Sequence, residues 1–277
     1  MKRWLRIALI GIVMSALQLV FDLFLPNPSF QGILPPSPLL ESGNYPILAF
    51  LVGWLVFTLM TAGYELIDLR LPGTKRYKTW VYLACELVVF ILYLCEPLPH
   101  RLPVDYFLNS LKAVLVFMVQ GALIEKLLAT KRQHYQRKPF IYNRTLLVYT
   151  LSMVIFRFFA YRGLDIYSLG DDNLTISLGW AAMLGLTMGG VFCVLQRYLR
   201  RQDKKGKNYQ FTWGFFAPAV LAYHAFFALR YEIALVDVVS RAGVDIMAVF
   251  LATWIVLHWQ IDELAGVKQN PTVSGEI

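Results

Sequence analysis

Apolar positions along the chain are gathered into about eight blocks of roughly 20 residues, with short polar or proline-rich stretches between them. A helix of that length crosses ~30 Å of hydrocarbon. The pattern predicts an all-α, polytopic membrane protein: a bundle of about eight transmembrane helices with almost no domain outside the bilayer. The predicted spans are 5–25, 46–66, 78–96, 105–128, 142–161, 176–198, 211–231 and 234–260. Composition agrees. The 277 residues are 57% apolar and 16% charged, with a mean hydropathy of +0.53. A soluble domain is about half apolar and about a quarter charged. The excess is too large for one water-facing core and excludes a disordered chain.

Charge placement orients the bundle. With the N-terminus cytoplasmic, 20 of the 26 Lys and Arg fall on inner segments, chiefly 70–78, 126–144 and 197–207. The outer loops hold three, Arg101, Arg162 and Arg230, and three more lie inside spans. Both termini are therefore expected inside, which requires an even number of spans. The expected location is a bacterial cytoplasmic membrane. The net charge of +8 is explained by this bias and by attraction of the inner loops to anionic lipid, without nucleic acid. The first span follows basic residues but lacks a cleavage site, so it reads as a retained anchor. Cys85, Cys95 and Cys193 have no paired spacing, so neither a disulfide framework nor a zinc site is expected.

The chain reads as one membrane domain, 1–277, with a candidate duplication into halves 1–138 and 139–277. Ser15 and Phe21 match Ser152 and Phe158 at an offset of 137. After a first outer loop that is longer in the first half, Gly53, Tyr77 and Asp105 match Gly185, Tyr209 and Asp237 at 132. Four spans per half would make the repeats parallel. Chance matching of apolar helices is the competing explanation.

Candidate chemistry lies in the polar residues within spans. A charge at mid-bilayer costs at least ~2.5–3.5 kcal/mol on insertion scales, so each needs a partner or water. Asp237, Arg241 and Asp245 stack on one face of the last span at i, i+4, i+8. Ser15, Gln18 and Asp22 form a stripe on the first, and Asn109, Lys112 and Gln120 share a side of the fourth. Glu86, Arg157 and His224 add polar groups from the third, fifth and seventh. Asp22, Glu86 and Asp245 thus oppose Lys112, Arg157 and Arg241, mostly in the outer half. These residues with His224 are the expected substrate-binding set of an outward-accessible cavity. Asp245 and Glu86 would take a cation or proton, and the bases an anionic or zwitterionic group. His224 would link occupancy to pH. The alternative is a scaffold role, in which matched charges pair and set helix register.

Gly185, Gly189 and Gly190 predict close helix packing, and Pro218 predicts a kink. The proline-rich stretch 26–46 reads as a constrained loop at headgroup level, with a lid as the alternative. There is no HExxH, GxSxG, Walker A or GxGxxG motif, and no histidine set placed for haem. No catalytic residue, metal or cofactor is therefore expected. The leading expectation is a small transporter-like or solute-binding protein whose partners are the bilayer and a small charged or zwitterionic ligand. An accessory or signalling subunit docking a membrane partner through its basic loops is the alternative. A lipid-modifying enzyme ranks third.

Overall fold

The computed structural model of the chain describes residues 2–24, 34–99, 103–131, 142–164, 166 and 170–267, with residues 170–172 and 260–267 described by backbone alone. Within these residues the chain is helical, without a strand. The helices are α1 (Arg3–Phe24), α2 (Pro38–Glu41), α3 (Tyr45–Gly63), α4 (Lys75–Leu94) and α5 (Pro103–Leu127), then α6 (Asn143–Gly163), α7 (Gly170–Leu195), α8 (Lys204–Tyr209), α9 (Ala217–Arg230) and α10 (Leu235–Val267). A 3-10 turn, Tyr64–Leu66, extends α3. A π-helical turn, Gln210–Phe216, joins α8 and α9 into one rod.

Seven of these rods are long and apolar enough to cross a membrane: α1, α3 with its 3-10 turn, α4, α5, α6, α7 from Asn173, and the α8–α9 rod. The eighth expected span corresponds to α10, whose 33 residues exceed the required length. Its last residues are described by backbone alone, and it stands outside that count.

Helix starts follow local chemistry. Thr74 accepts a hydrogen bond from the Tyr77 N–H at 3.2 Å to begin α4, and Asp203 accepts one from the Gly206 N–H at 2.8 Å to begin α8. Pro218 does not simply kink its helix as expected. Its ring displaces the carbonyl of residue i−4, and the chain answers with the wider π turn immediately before it, where the Ala217 N–H reaches Thr212 C=O.

The burial pattern is inverted relative to a protein in water. Arg157, Arg241 and Asp245 are fully buried, while Leu23, Phe24, Leu235 and Val236 are more than 70% exposed. Apolar surface on that scale suits hydrocarbon, where each helix satisfies its own backbone.

Packing contacts fall into matched sets. The hairpin α1–α3 has a counterpart in α6–α7, α1–α5 in α6–α10, and α4–α5 in α9–α10. In addition, α3 packs on α9, α7 packs on α4, and α4 meets α9.

The α6–α7 contact depends on small residues. A Cβ on Gly185 would lie 2.6 Å from the Thr150 Cα and the Tyr149 carbonyl oxygen, both backbone atoms that cannot rotate away. Gly189 faces Leu146 at 3.0 Å, whereas Gly190 has nothing within 4 Å. Gly185→Val is expected to destabilise the folded protein by ~1–3 kcal/mol, and Gly190→Ala to leave it unchanged. Unfolding midpoints of the two variants in detergent check this pair.

Candidate functional site

The polar residues singled out in the sequence separate into three places. The first is a dry ion cluster. Arg157 of α6 grips Asp245 of α10 with two nitrogens, Nε to Oδ1 at 2.7 Å and Nη2 to Oδ2 at 2.5 Å. Its Nη1 donates to Glu96 Oε1 at 2.9 Å, just beyond the end of α4. Arg241 also donates to Glu96 Oε1, at 3.1 Å, and to Asp237 at 3.2 Å. Two tyrosines add further bonds to these carboxylates. Tyr93 donates to Asp245 at 2.8 Å, and Tyr223 to Glu96 Oε2 at 3.0 Å. The Trp180 ring covers the Arg157 guanidinium at 4.8 Å.

Bidentate pairing, with both oxygens of Asp245 and of Glu96 bonded, is the arrangement that offsets the desolvation of buried charge. Arg241 therefore bonds Asp237 on its own helix, but Asp245 belongs to Arg157 across the bundle. His224 stands edge-on to Tyr93, with ring centroids 5.9 Å apart. Neither His224 ring nitrogen nor Arg241 Nη2 has a hydrogen-bond partner among the described residues.

The second place is a cavity at the end of the bundle opposite the start of α1. It is narrow, with about 80 Å³ of room for water-sized groups, and Gln18, Asn109, Lys112 and Arg230 line it among Phe57, Phe90 and other rings. Behind this lining, Asp22 of α1 sits 3.5 Å from Lys112 Nζ and accepts from Arg230 Nη2 at 2.6 Å. Tyr45 bridges the pair, donating to Asp22 at 3.2 Å and accepting from Arg230 Nε at 3.0 Å. Asp105 is buried on α5, two turns before Lys112. The carboxylates of Asp22 and Asp105 lie outside the lining, so a ligand meets cationic and amide groups first.

The described part of the proline-rich stretch is tied beside this cavity. The Ser37 N–H donates to Arg230 C=O at 3.0 Å, and the Glu232 N–H donates to Pro35 C=O at 2.9 Å. Leu34 packs with Leu98, Phe227 and Tyr231. Residues 34–44 are thus a hydrogen-bonded strap against the end of α9; residues 25–33 lie outside the described residues.

The third place is Glu86, alone near the middle of α4 and bonded to Tyr82. Asp22 and Lys112 therefore come together, as do Arg157, Arg241 and Asp245. His224 flanks the second group, and Glu86 joins neither. Two organising residues, Glu96 and Arg230, escaped the sequence reading. Both sit at block ends, where a charge reads as reaching the headgroups. The signal that pointed to Glu96 was the presence of two arginines, Arg157 and Arg241, at similar depth with Asp245 able to serve only one well.

Comparison of the chain with protein-family models, curated proteins and solved structures returned no match. Functional argument therefore rests on the geometry. Among the described residues no three His, Cys, Asp or Glu side chains gather as metal ligands.

The Arg157–Asp245 pair is expected to behave as a coupled unit. Arg157→Met should cost ~3–5 kcal/mol, because it leaves the buried Asp245 carboxylate without a cation. Arg157→Met with Asp245→Leu should cost clearly less than the sum of the single changes. A double-mutant cycle on unfolding in detergent measures the coupling, and additive losses would refute it.

Proposed function

We propose that this is a solute-binding, transporter-like membrane protein whose ligand is an anionic or zwitterionic amphiphile held in the cavity between α1, α5 and α9. The observation that carries this reading is the lining: Lys112 and Arg230 with two amides, surrounded by aromatic rings. An acidic headgroup would bond the cations, while a chain or ring would lie against Phe57, Phe90 and Phe117. Asp22 keeps the two cations in place and neutralises part of their charge when the cavity is empty. Arg157, Arg241 and Asp245 act in this reading as the scaffold behind the site, with Tyr223 as the shared wall: it lines the cavity and bonds Glu96.

The same reading places both termini in the cytoplasm, eight helices across the membrane, and the cavity toward the outside. It also takes the chain as two parallel four-helix repeats. Matched helix packing supports this, and so do the ion clusters. Asp22 on α1 corresponds to Arg157 on α6, Lys112 on α5 to Asp245 on α10, and Arg230 at the end of α9 to Glu96 just after α4, at separations of 135, 133 and 134 residues. Each pair is close to the sequence offsets and has opposite sign. In this view the cavity and the dry cluster are two forms of one ancestral site.

A second reading, an accessory subunit docking a partner, draws on the exposed Arg200, Arg201, Lys204 and Lys205 before and within α8. Charge reversal of these four residues should then abolish co-purification of a partner and leave cavity binding intact.

A medium-chain fatty acid is expected to bind the purified protein, and its methyl ester to bind at least ~10-fold more weakly, a difference of ~1.4 kcal/mol. Lys112→Met should reduce acid binding by a similar factor without affecting the ester. Equilibrium binding in detergent reads both; equal affinity for acid and ester would sink the proposal. Orientation is checked by single cysteines in a cysteine-free background. Ser42→Cys is expected to react with an impermeant maleimide from outside, and Lys204→Cys only after the membrane is opened.

A further inference from the structure

Glu86 is 1% exposed and forms no ion pair among the described residues. Its Oε1 lies 2.7 Å from Tyr82 Oη, and the same Oη lies 2.6 Å from the Met60 carbonyl oxygen. Three oxygens are therefore in line at hydrogen-bond distance, and each of the two contacts needs a hydrogen.

A tyrosine hydroxyl supplies one hydrogen, and a carbonyl supplies none. The Met60 carbonyl has a claim on the Tyr82 hydrogen. The α-helix ends there in a 3-10 turn, and the Tyr64 N–H, which would have served Met60 in a continuing α-helix, bonds Thr61 and Ala62 instead. If Tyr82 donates to Met60, the hydrogen between Tyr82 and Glu86 must come from the carboxyl group. The other carboxyl oxygen, Oε2, has no partner. In a neutral acid that atom is a lone carbonyl acceptor; in a carboxylate it would be half of a buried, uncompensated charge.

The surroundings conserve this geometry. A Cβ on Gly63 would lie 2.4 Å from Tyr82 Oη, so only glycine leaves room for the hydroxyl. Tyr64 and Phe215 pack edge-on against the Tyr82 ring and hold it. Gln120 of α5 donates to Thr61 Oγ1 at 3.1 Å, next to Met60, and its own carbonyl oxygen has no partner. Among the described residues, Tyr82 and Cys85 of α4 interact with Glu86, and Tyr64 packs against Tyr82; none of the three is a cation.

We infer that Glu86 is a resident proton site: a carboxylic acid in the middle of the bundle, donating to Tyr82, which positions it and passes the hydrogen-bond chain to the Met60 carbonyl. The assignment is independent of what the cavity binds. It separates Glu86 from Asp245, which its arginine keeps as an ion-pair partner, and makes Glu86 the group through which this protein would take up or release a proton.

The test is infrared spectroscopy of the full chain in lipid at neutral pH. A carbonyl stretch of a protonated carboxylic acid is expected, shifted in heavy water, absent in Glu86→Gln and retained in Asp245→Asn. Glu86→Gln should fold with an unchanged unfolding midpoint, since one neutral group replaces another. Should that variant fail to fold, Tyr82→Phe decides: the band must persist and move to higher frequency as the carboxyl loses its acceptor. Absence of any band that responds to Glu86→Gln or Tyr82→Phe overturns the inference. So does a band abolished by sodium but not by choline at constant pH, which would make the oxygens a metal-cation site. Loss of fatty-acid binding in Lys112→Met with the band intact would bear on the cavity alone.

Discussion

Two guanidinium groups buried to zero exposure constrain how α4, α6, α9 and α10 pack. A buried arginine cannot shed its proton, so the surrounding helices must bring carboxylates to it. Arg157 takes Asp245 from α10 and Glu96 from beyond α4, and Arg241 takes Glu96 and Asp237. These bonds determine which faces of α6 and α10 turn inward and where α4 must end. Tyr93 and Tyr223 complete the carboxylates and bring α4 and α9 into the same arrangement. Apolar contact between helices has little preference of its own in lipid, because a lipid tail is as apolar as a leucine. Register in such a bundle is therefore set by polar groups that have one satisfactory geometry and by small residues that permit close approach.

The cluster around Asp22 solves a similar problem less completely. Asp22 holds Lys112 and Arg230, and Tyr45 braces the pair, but the cations also face open space. One cluster is thus a closed set of charges under an indole ring, and the other places charges at the wall of a cavity. Tyr223 is common to both, so a ligand against that wall would act directly on a residue bonded to Glu96. The strap at 34–44 adds a mechanical link, since its backbone is bonded to Arg230 itself and to Glu232.

Much of the architecture was legible from residue order. An apolar block of sufficient length has one stable form in hydrocarbon, because a helix alone satisfies its own backbone. The helices accordingly coincide with the predicted spans to within a few residues at most ends; α7 starts six residues early because a short turn precedes Asn173. The polar positions were legible too, since a charge within an apolar block stands out against its cost. Their grouping was not. Asp22 and Arg241 looked like members of one set because depth along a helix can be counted from sequence, whereas rotation about the helix axis cannot. Glu96 and Arg230 were overlooked for the converse reason. A residue at the end of a block can reach water or turn inward, and the choice depends on what the neighbouring helices present.

The sequence by itself determined that the chain is helical, that its rods are of membrane-crossing length, and which of its residues are costly to bury. These are properties of single segments, decided by backbone hydrogen bonding and transfer energy. Only the tertiary structure decided that Asp245 answers to Arg157 rather than to Arg241 four residues away, that Lys112 and Arg230 share a cavity, and that Glu86 meets a tyrosine instead of a cation. Each of those outcomes depends on the relative rotation and depth of two or more helices. It comes from the joint packing of Gly185 against α6, Gly63 against Tyr82 and the π turn before Pro218, which no local pattern encodes.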